Sequence, residues 1–262
     1  GIQVDSVSDA VLDLHKGGKI AMHSRVSIEN AGDVRRIYTP GVAAVCRAIQ
    51  KEPDLMYDYT YVRNSVAIVT NGTAILGLGD IGVRAGMPVM EGKAVLFDKL
   101  VGISGIPILI DSKDIQTCID TIVNIAPSFG AIKLEDFRAP ECFAIEEALM
   151  QKLEMPIMHD DQHGTATVVL AALMNATRYV GDDLRALSVG IVGLGAAGNG
   201  IARLLKAFGV QTIYGADINE DAKTRLEQIG GTPLALGELM QKAQVVVTTT
   251  GVPNLIKPEM VR

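Results

Sequence analysis

Tryptophan is missing from this chain of 262 residues, and aromatic residues make up only 4% of it. An all-β sandwich leans on large rings, whereas the Ala, Val, Ile, Leu and Gly that are plentiful here suit helices layered on parallel strands. Basic runs are also lacking and the net charge is -6, so nucleic acid finds no landing place for its phosphates. Cysteine is scarce: Cys46, Cys118 and Cys142 are widely spaced, odd in number and form no C-x-x-C. That pattern fits reduced thiols in a cytoplasmic protein rather than a disulfide framework. No apolar stretch reaches the roughly 18 uncharged residues of a membrane span, and no signal peptide is expected. What is present is a chain 48% hydrophobic and 21% charged, enough to bury a substantial core.

Ser6 or Ser8 is placed to cap a first helix ending at Gly17-Gly18. Residues 42–51 predict an amphipathic helix, and 65–70 a short buried strand closed by the Asn71-Gly72 turn. Residues 87–100 predict a helix with Pro88 near its first turn. From Ile106 onward the elements alternate: strand 106–110, helix 114–125, strand 129–134, helix 139–152, strand 156–158, helix 164–179. Repeated β-α units predict an α/β fold with parallel sheets, and such sheets hold their ligands beyond the carboxyl ends of the strands. A second unit starts near Leu187, with strand 188–192, a glycine turn, helix 199–208 and strand 212–216.

That turn reads Gly193-Leu194-Gly195-Ala196-Ala197-Gly198. G-x-G-x-x-G alone is a weak signal, but here it joins a strand to a helix and an acid, Asp217, ends the next strand. Gly193 permits the turn, Gly195 lets the backbone approach a pyrophosphate, and Gly198 lets helix and strand pack closely. With Ala196 and Ala197, these residues are expected to set the phosphates at a helix N-terminus. Asp217 is expected to accept from the ribose hydroxyls and to repel a 2′-phosphate, which favours NAD over NADP.

The stretch H-D-D-Q-H, His159 to His163, is close to the H-E-x-x-H zinc pattern. Zinc binding of that kind needs both histidines on one helix, and His159 is expected at the end of strand 156–158 instead. The acids carry more. Asp160 and Asp161 end one strand and Glu135 and Asp136 end the one before, so neighbouring parallel strands would gather them over one crevice. Crowded carboxylates repel unless a cation sits among them, and Mg²⁺ or Mn²⁺ suits oxygen ligands. The plain alternative is that Asp136 and Asp160 only cap helices. Lys93, in E-G-K-A-V-L-F, and Tyr38, before a Thr-Pro bend, would each pass for ordinary residues if taken singly.

Taken together the segments resemble the malic enzymes of the shorter bacterial type. The matches are Y-T-P-G-V-A at 38–43, I-L-G-L-G-D-I-G at 75–82 and G-M-P-V-M-E-G-K-A-V-L-F at 86–97. They continue with K-L-E-D-F at 133–137, H-D-D-Q-H-G-T-A at 159–166 and G-L-G-A-A-G at 193–198. The resemblance implies Tyr38 as general acid, Lys93 as general base, and Glu135, Asp136 and Asp161 as metal ligands, with Asp160 beside them. It implies no ligand role for His159 or His163. It further implies a substrate and metal domain over 1–160, a Rossmann-type NAD-binding domain over 161–262, and a cytoplasmic homodimer acting on malate. Ala74 stands where longer, eukaryotic-type relatives carry arginine. Family members continue past Arg262, and the first residues resemble the end of an ACT-type domain that some bacterial relatives carry, so a piece of a longer chain is expected. The implied reaction is oxidative decarboxylation of (S)-malate to pyruvate with NAD. Malolactic conversion to lactate and a non-catalytic NAD-binding regulatory fragment stay open as alternatives.

Overall fold

Ser65–Thr70 is buried along its whole length, as a parallel strand covered on both faces must be. The computed structural model describes residues 9–75 and 77–261, and the capping expected of Ser6 or Ser8 lies outside them. The strands are β1 Ser65–Thr70, β2 Ser104–Leu109, β3 Ala131–Leu134, β4 Ile157–His159, β5 Ser188–Val192, β6 Thr212–Ala216, β7 Thr232–Pro233 and β8 Val245–Thr248. The helices are α1 Ala10–His15, α2 Ala31–Ile37, α3 Val42–Lys51, α4 Leu55–Tyr59, α5 Met87–Leu96 and α6 Ile115–Ile125. They continue as α7 Glu141–Lys152, α8 Asp160–Val180, α9 Ala196–Phe208, α10 Glu220–Ile229 and α11 Leu236–Lys242. Among the described residues no helix is long and apolar enough to cross a membrane.

The chain divides into two compact units that do not follow the sequence as two blocks. One holds Gly1–Gly72, Ile81–Lys133 and Leu149–Ile157, and the other holds Thr73–Asp80, Leu134–Ala148 and Met158–Arg262. In the first unit β1 pairs in parallel with β2, within a sheet of order β2-β1-β3-β4. Val66 and Ile68 of β1 pack on Met90 and Ala94 of α5, and each large side chain buried there contributes about 1.5–3 kcal/mol. Gly105 of β2 makes that contact possible, since a Cβ there would meet Ala94 Cα at 2.9 Å. The helix expected over 87–100 is α-helical only to Leu96. Its last turn, Phe97–Val101, widens to π geometry and is closed by Gly102 at φ 68.

The second unit carries a sheet of order β7-β6-β5-β8, with β5 parallel to both β6 and β8. In chain order this is 3-2-1-4, the arrangement that opens a doubly wound dinucleotide fold, and its direction reverses at β5. Ile191 of β5, Ile201 and Leu205 of α9, and Ile213 of β6 share one core. The expected strands 188–192 and 212–216 are found as read. Helix 199–208 begins three residues earlier, at Ala196, because the glycine turn is tighter than the sequence suggests.

Candidate metal and dinucleotide sites

Glu135 and Asp136 follow β3 directly, Asp161 lies just past β4, and β3 and β4 are neighbours in the sheet. Asp136 holds φ at 55°, a left-handed conformation that aspartate tolerates better than most residues. Its N–H donates to Asp161 Oδ2 at 3.2 Å, and its carbonyl accepts from the Ala74 N–H at 3.0 Å. Carboxylate oxygens of Glu135, Asp136 and Asp161 all lie within 4.8 Å of one another. Glu135 and Asp136 are buried, while the Asp161 side chain is 32% exposed and leaves one side open. At such spacing each ionised pair repels by roughly 3 kcal/mol at an effective dielectric of about 20. A hard divalent cation turns that repulsion into attraction, so the donor set fits Mg²⁺ or Mn²⁺.

The helix expected from Gly164 starts at Asp160 instead. His159 is extended at its N-cap, and Asp160 and Asp161 fill the first turn, where the positive helix end favours acids. Asp160 and Asp161 therefore open a helix rather than ending the strand. His159 ends β4, outside the helix as expected, and His163 lies within it; both turn towards carboxylates. His159 Nε2 is 3.2 Å from Asp161 Oδ2, and His163 Nε2 donates to Glu146 Oε1 at 2.9 Å.

Glu146, on α7, is the residue that sequence reasoning missed, since nothing local separates it from its neighbour Glu147. It accepts the His159 backbone N–H at 2.8 Å and the Gln162 amide at 2.9 Å as well as His163. Burial pushes its carboxyl upward, but the bonds from His163 and from the His159 N–H outweigh that and hold it below the usual range. The Glu146 bond raises His163 above an ordinary imidazole, against the opposing effect of burial. Gln162 is fully buried, and its signal was its place in a polar run that a helix start would partly bury.

The glycine turn behaves as its spacing requires. Gly193 holds φ at 93°, and Thr249 Oγ1 donates to its carbonyl at 2.7 Å. A Cβ on Gly195 would meet nothing, which leaves room for a phosphate, whereas one on Gly198 would collide with the Gly193 carbonyl. Ala196 and Ala197 open α9, whose first N–H groups point into that space. Asp217 accepts from Leu194 N–H at 2.6 Å through Oδ2 and from Asn219 N–H at 2.9 Å through Oδ1. It borders a cleft of about 540 Å³ with Val192, Gly193, Leu236 and Val252. Ile218, where NADP sites often use a cation, is 99% exposed and neutral. Lys223 borders the cleft too, but is paired with Glu220 at 2.7 Å.

Tyr38 closes α2 and is exposed. Lys93 stands half-buried in the last turn of α5. Both belong to the first unit, whereas the acids and the glycine turn belong to the second. The second unit thus brings together Glu135, Asp136 and Asp161, and also Gly193–Gly198 with Asp217. The parts given to Tyr38 and Lys93 rest on the motifs that surround them.

Residues 18–150 match the family described as "Malic enzyme, N-terminal domain". Residues 154–254 match "D-isomer specific 2-hydroxyacid dehydrogenase, NAD binding domain". The whole chain is 56% identical to NAD-dependent malic enzyme 1 of Bacillus subtilis (strain 168), of which it spans 60%. Over 83% of the chain it is 48% identical to the NAD-dependent malic enzyme of Geobacillus stearothermophilus, of which it spans 45%. The crystal structure of an NAD-dependent malic enzyme from Thermotoga maritima is 35% identical, with a TM-score of 0.89. That likeness covers 97% of this chain and 71% of the other.

Proposed function

The chain belongs to the malic enzyme family, and from that premise we propose that the full protein oxidatively decarboxylates (S)-malate to pyruvate and CO₂ while reducing NAD. The observation that carries this reading is the pairing, in one unit, of a three-carboxylate cluster with a glycine turn ended by Asp217. Glu135, Asp136 and Asp161 would hold Mg²⁺ or Mn²⁺, which supplies Lewis acidity for the C2 oxygen of the substrate and for the charge that develops as CO₂ leaves. Lys93 takes the proton of the C2 hydroxyl as the C2 hydrogen is lost as hydride, and Tyr38 returns a proton to C3. Gly193, Gly195, Ala196, Ala197 and Gly198 seat the pyrophosphate of NAD, and Asp217 accepts from its ribose. Residues 1–160 serve the substrate and, with Asp161, the metal, and the rest of 161–262 serves the dinucleotide, in a cytoplasmic homodimer without nucleic-acid or membrane partners.

The test is malate-dependent NADH formation by the full-length protein, with Mn²⁺ and then with EDTA. Pyruvate and NADH that both require the metal, and that Asp161→Ala abolishes, support the reading. Lactate without NADH would replace it with the malolactic reaction, and metal-independent turnover would remove the carboxylate site from the chemistry.

A further inference from the structure

The polar run around Asp161 holds more order than a metal ligand and its neighbours need. An ionised carboxylate can only accept, so the Gln162 atom 2.9 Å from Glu146 Oε2 is the amide nitrogen. The same nitrogen lies 3.1 Å from His159 Nδ1. Its second hydrogen is therefore directed at that ring atom, and Nδ1 accepts. A neutral imidazole with an accepting Nδ1 carries its proton on Nε2. The opposite tautomer would set N–H against N–H inside a region closed to water.

His159 is completely buried. Its Nε2 makes no hydrogen bond of ordinary geometry, yet it stands 3.2 Å from Oδ2 of Asp161. The same oxygen accepts the Asp136 N–H from another side at 3.2 Å. Gln162 itself is fixed twice. Its side chain is held by Glu146 and His159, and its carbonyl lies where a Cβ on Gly200 would collide with it.

We propose that Glu146, Gln162 and His159 form a positioning relay that fixes the Nε2–H tautomer of His159 and so presets the Asp161 carboxylate for a divalent cation. The inference rests on the metal reading of the Glu135, Asp136 and Asp161 cluster. None of the three relay residues touches the substrate in this account; each acts through the next. The histidines of H-D-D-Q-H thereby gain a part: one orients an acid and the other anchors the carboxylate behind it. Partners of this kind commonly change metal affinity 10–100-fold when lost.

Two measurements on the full-length protein decide it. In the metal-free protein with ¹⁵N-labelled histidine, the His159 ring should show a bare Nδ1 and a protonated Nε2. Gln162→Met keeps the length of the side chain but removes the donor. In that variant the tautomer should mix or reverse, and Mn²⁺ affinity, read without substrate by the resonance of free Mn²⁺, should fall 10–100-fold. A protonated Nδ1 in the unsubstituted protein overturns the relay even if the variant fails to fold. So does an unchanged Mn²⁺ affinity in Gln162→Met beside a wild type that binds. A wild type that binds no Mn²⁺ counts against the metal site instead, and the tautomer remains readable without it.

Discussion

The backbone N–H of Leu194 donates to Oδ2 of Asp217 across 2.6 Å, so the acid assigned to the ribose also ties the glycine turn to the end of β6. A hydrogen bond to a charged group is worth about 1.5–3 kcal/mol net. Asp217→Ala should therefore lower the melting temperature and weaken NAD binding more than tenfold. Asp217→Asn keeps an acceptor for Leu194 and removes the charge that repels a 2′-phosphate. It should melt close to the wild type while narrowing the preference for NAD over NADP. Titrations with both dinucleotides check this, and an undiminished preference in Asp217→Asn would refute it.

Gly195 and Gly198 should separate binding from folding. An alanine at 195 meets no protein atom, so Gly195→Ala should keep its melting temperature and lose NAD affinity by at least about tenfold, its methyl standing where the phosphate approaches. An alanine at 198 collides with the Gly193 carbonyl, so Gly198→Ala should lose about 1–3 kcal/mol of stability before any cofactor is added. Denaturant melts beside NAD titrations give both numbers. Equal stabilities for the two variants would contradict the packing described.

The carboxylate cluster should respond to metal in a way that needs no turnover. At a Mn²⁺ concentration 100 times its dissociation constant, binding to the folded state alone adds about 2.7 kcal/mol of stability. The melting temperature should rise accordingly and fall back with EDTA. Asp161→Ala should remove the rise, and its metal-free melt should fall modestly, because the Asp136 N–H and the buried His159 ring lose their acceptor while only one crowded charge is relieved. A Mn²⁺-induced rise that survives in Asp161→Ala would place the cation elsewhere.

The three cysteines should differ sharply towards alkylating reagents. Burial pushes the Cys142 thiol up to about 12, helped by the nearby charges of Asp161 and Glu146. Burial also raises Cys118. The thiolate is the reactive form, so near pH 8 both should stay unmodified in the folded protein while exposed Cys46 reacts. Peptide mapping after iodoacetamide, with and without denaturant, checks the order. Early labelling of Cys142 would show that its surroundings open in solution.

The sequence made the strands easy to read and the polar junctions hard. Ser65–Thr70, Ser188–Val192 and Thr212–Ala216 are apolar runs between turn residues, and each was found with its ends as expected. Asp160–Gln162 carries no apolar periodicity, so α8 was expected to begin four residues late, although two acids in a first turn are themselves a helix-start signal. The meeting of Glu135, Asp136 and Asp161 was legible because neighbouring parallel strands bring their carboxyl ends together. Glu146 was not: it meets His163 from 17 positions away in the chain, a pairing that only the packing of α7 beside α8 creates. Units woven from three stretches each are equally invisible to a reading that moves along the chain.

Gly200 has one more effect. Without a side chain there, the backbone of α9, which opens at the glycine turn, rests directly on the Gln162 carbonyl in the first turn of α8, next to Asp161. The carboxylate cluster and the glycine turn are thus joined by a seam of main chain against main chain. An insertion or a bulkier residue that shifts one helix would shift the carboxylates and the glycine turn at once. Changes of cofactor preference would then have to come from the rim around Ile218, leaving the seam untouched.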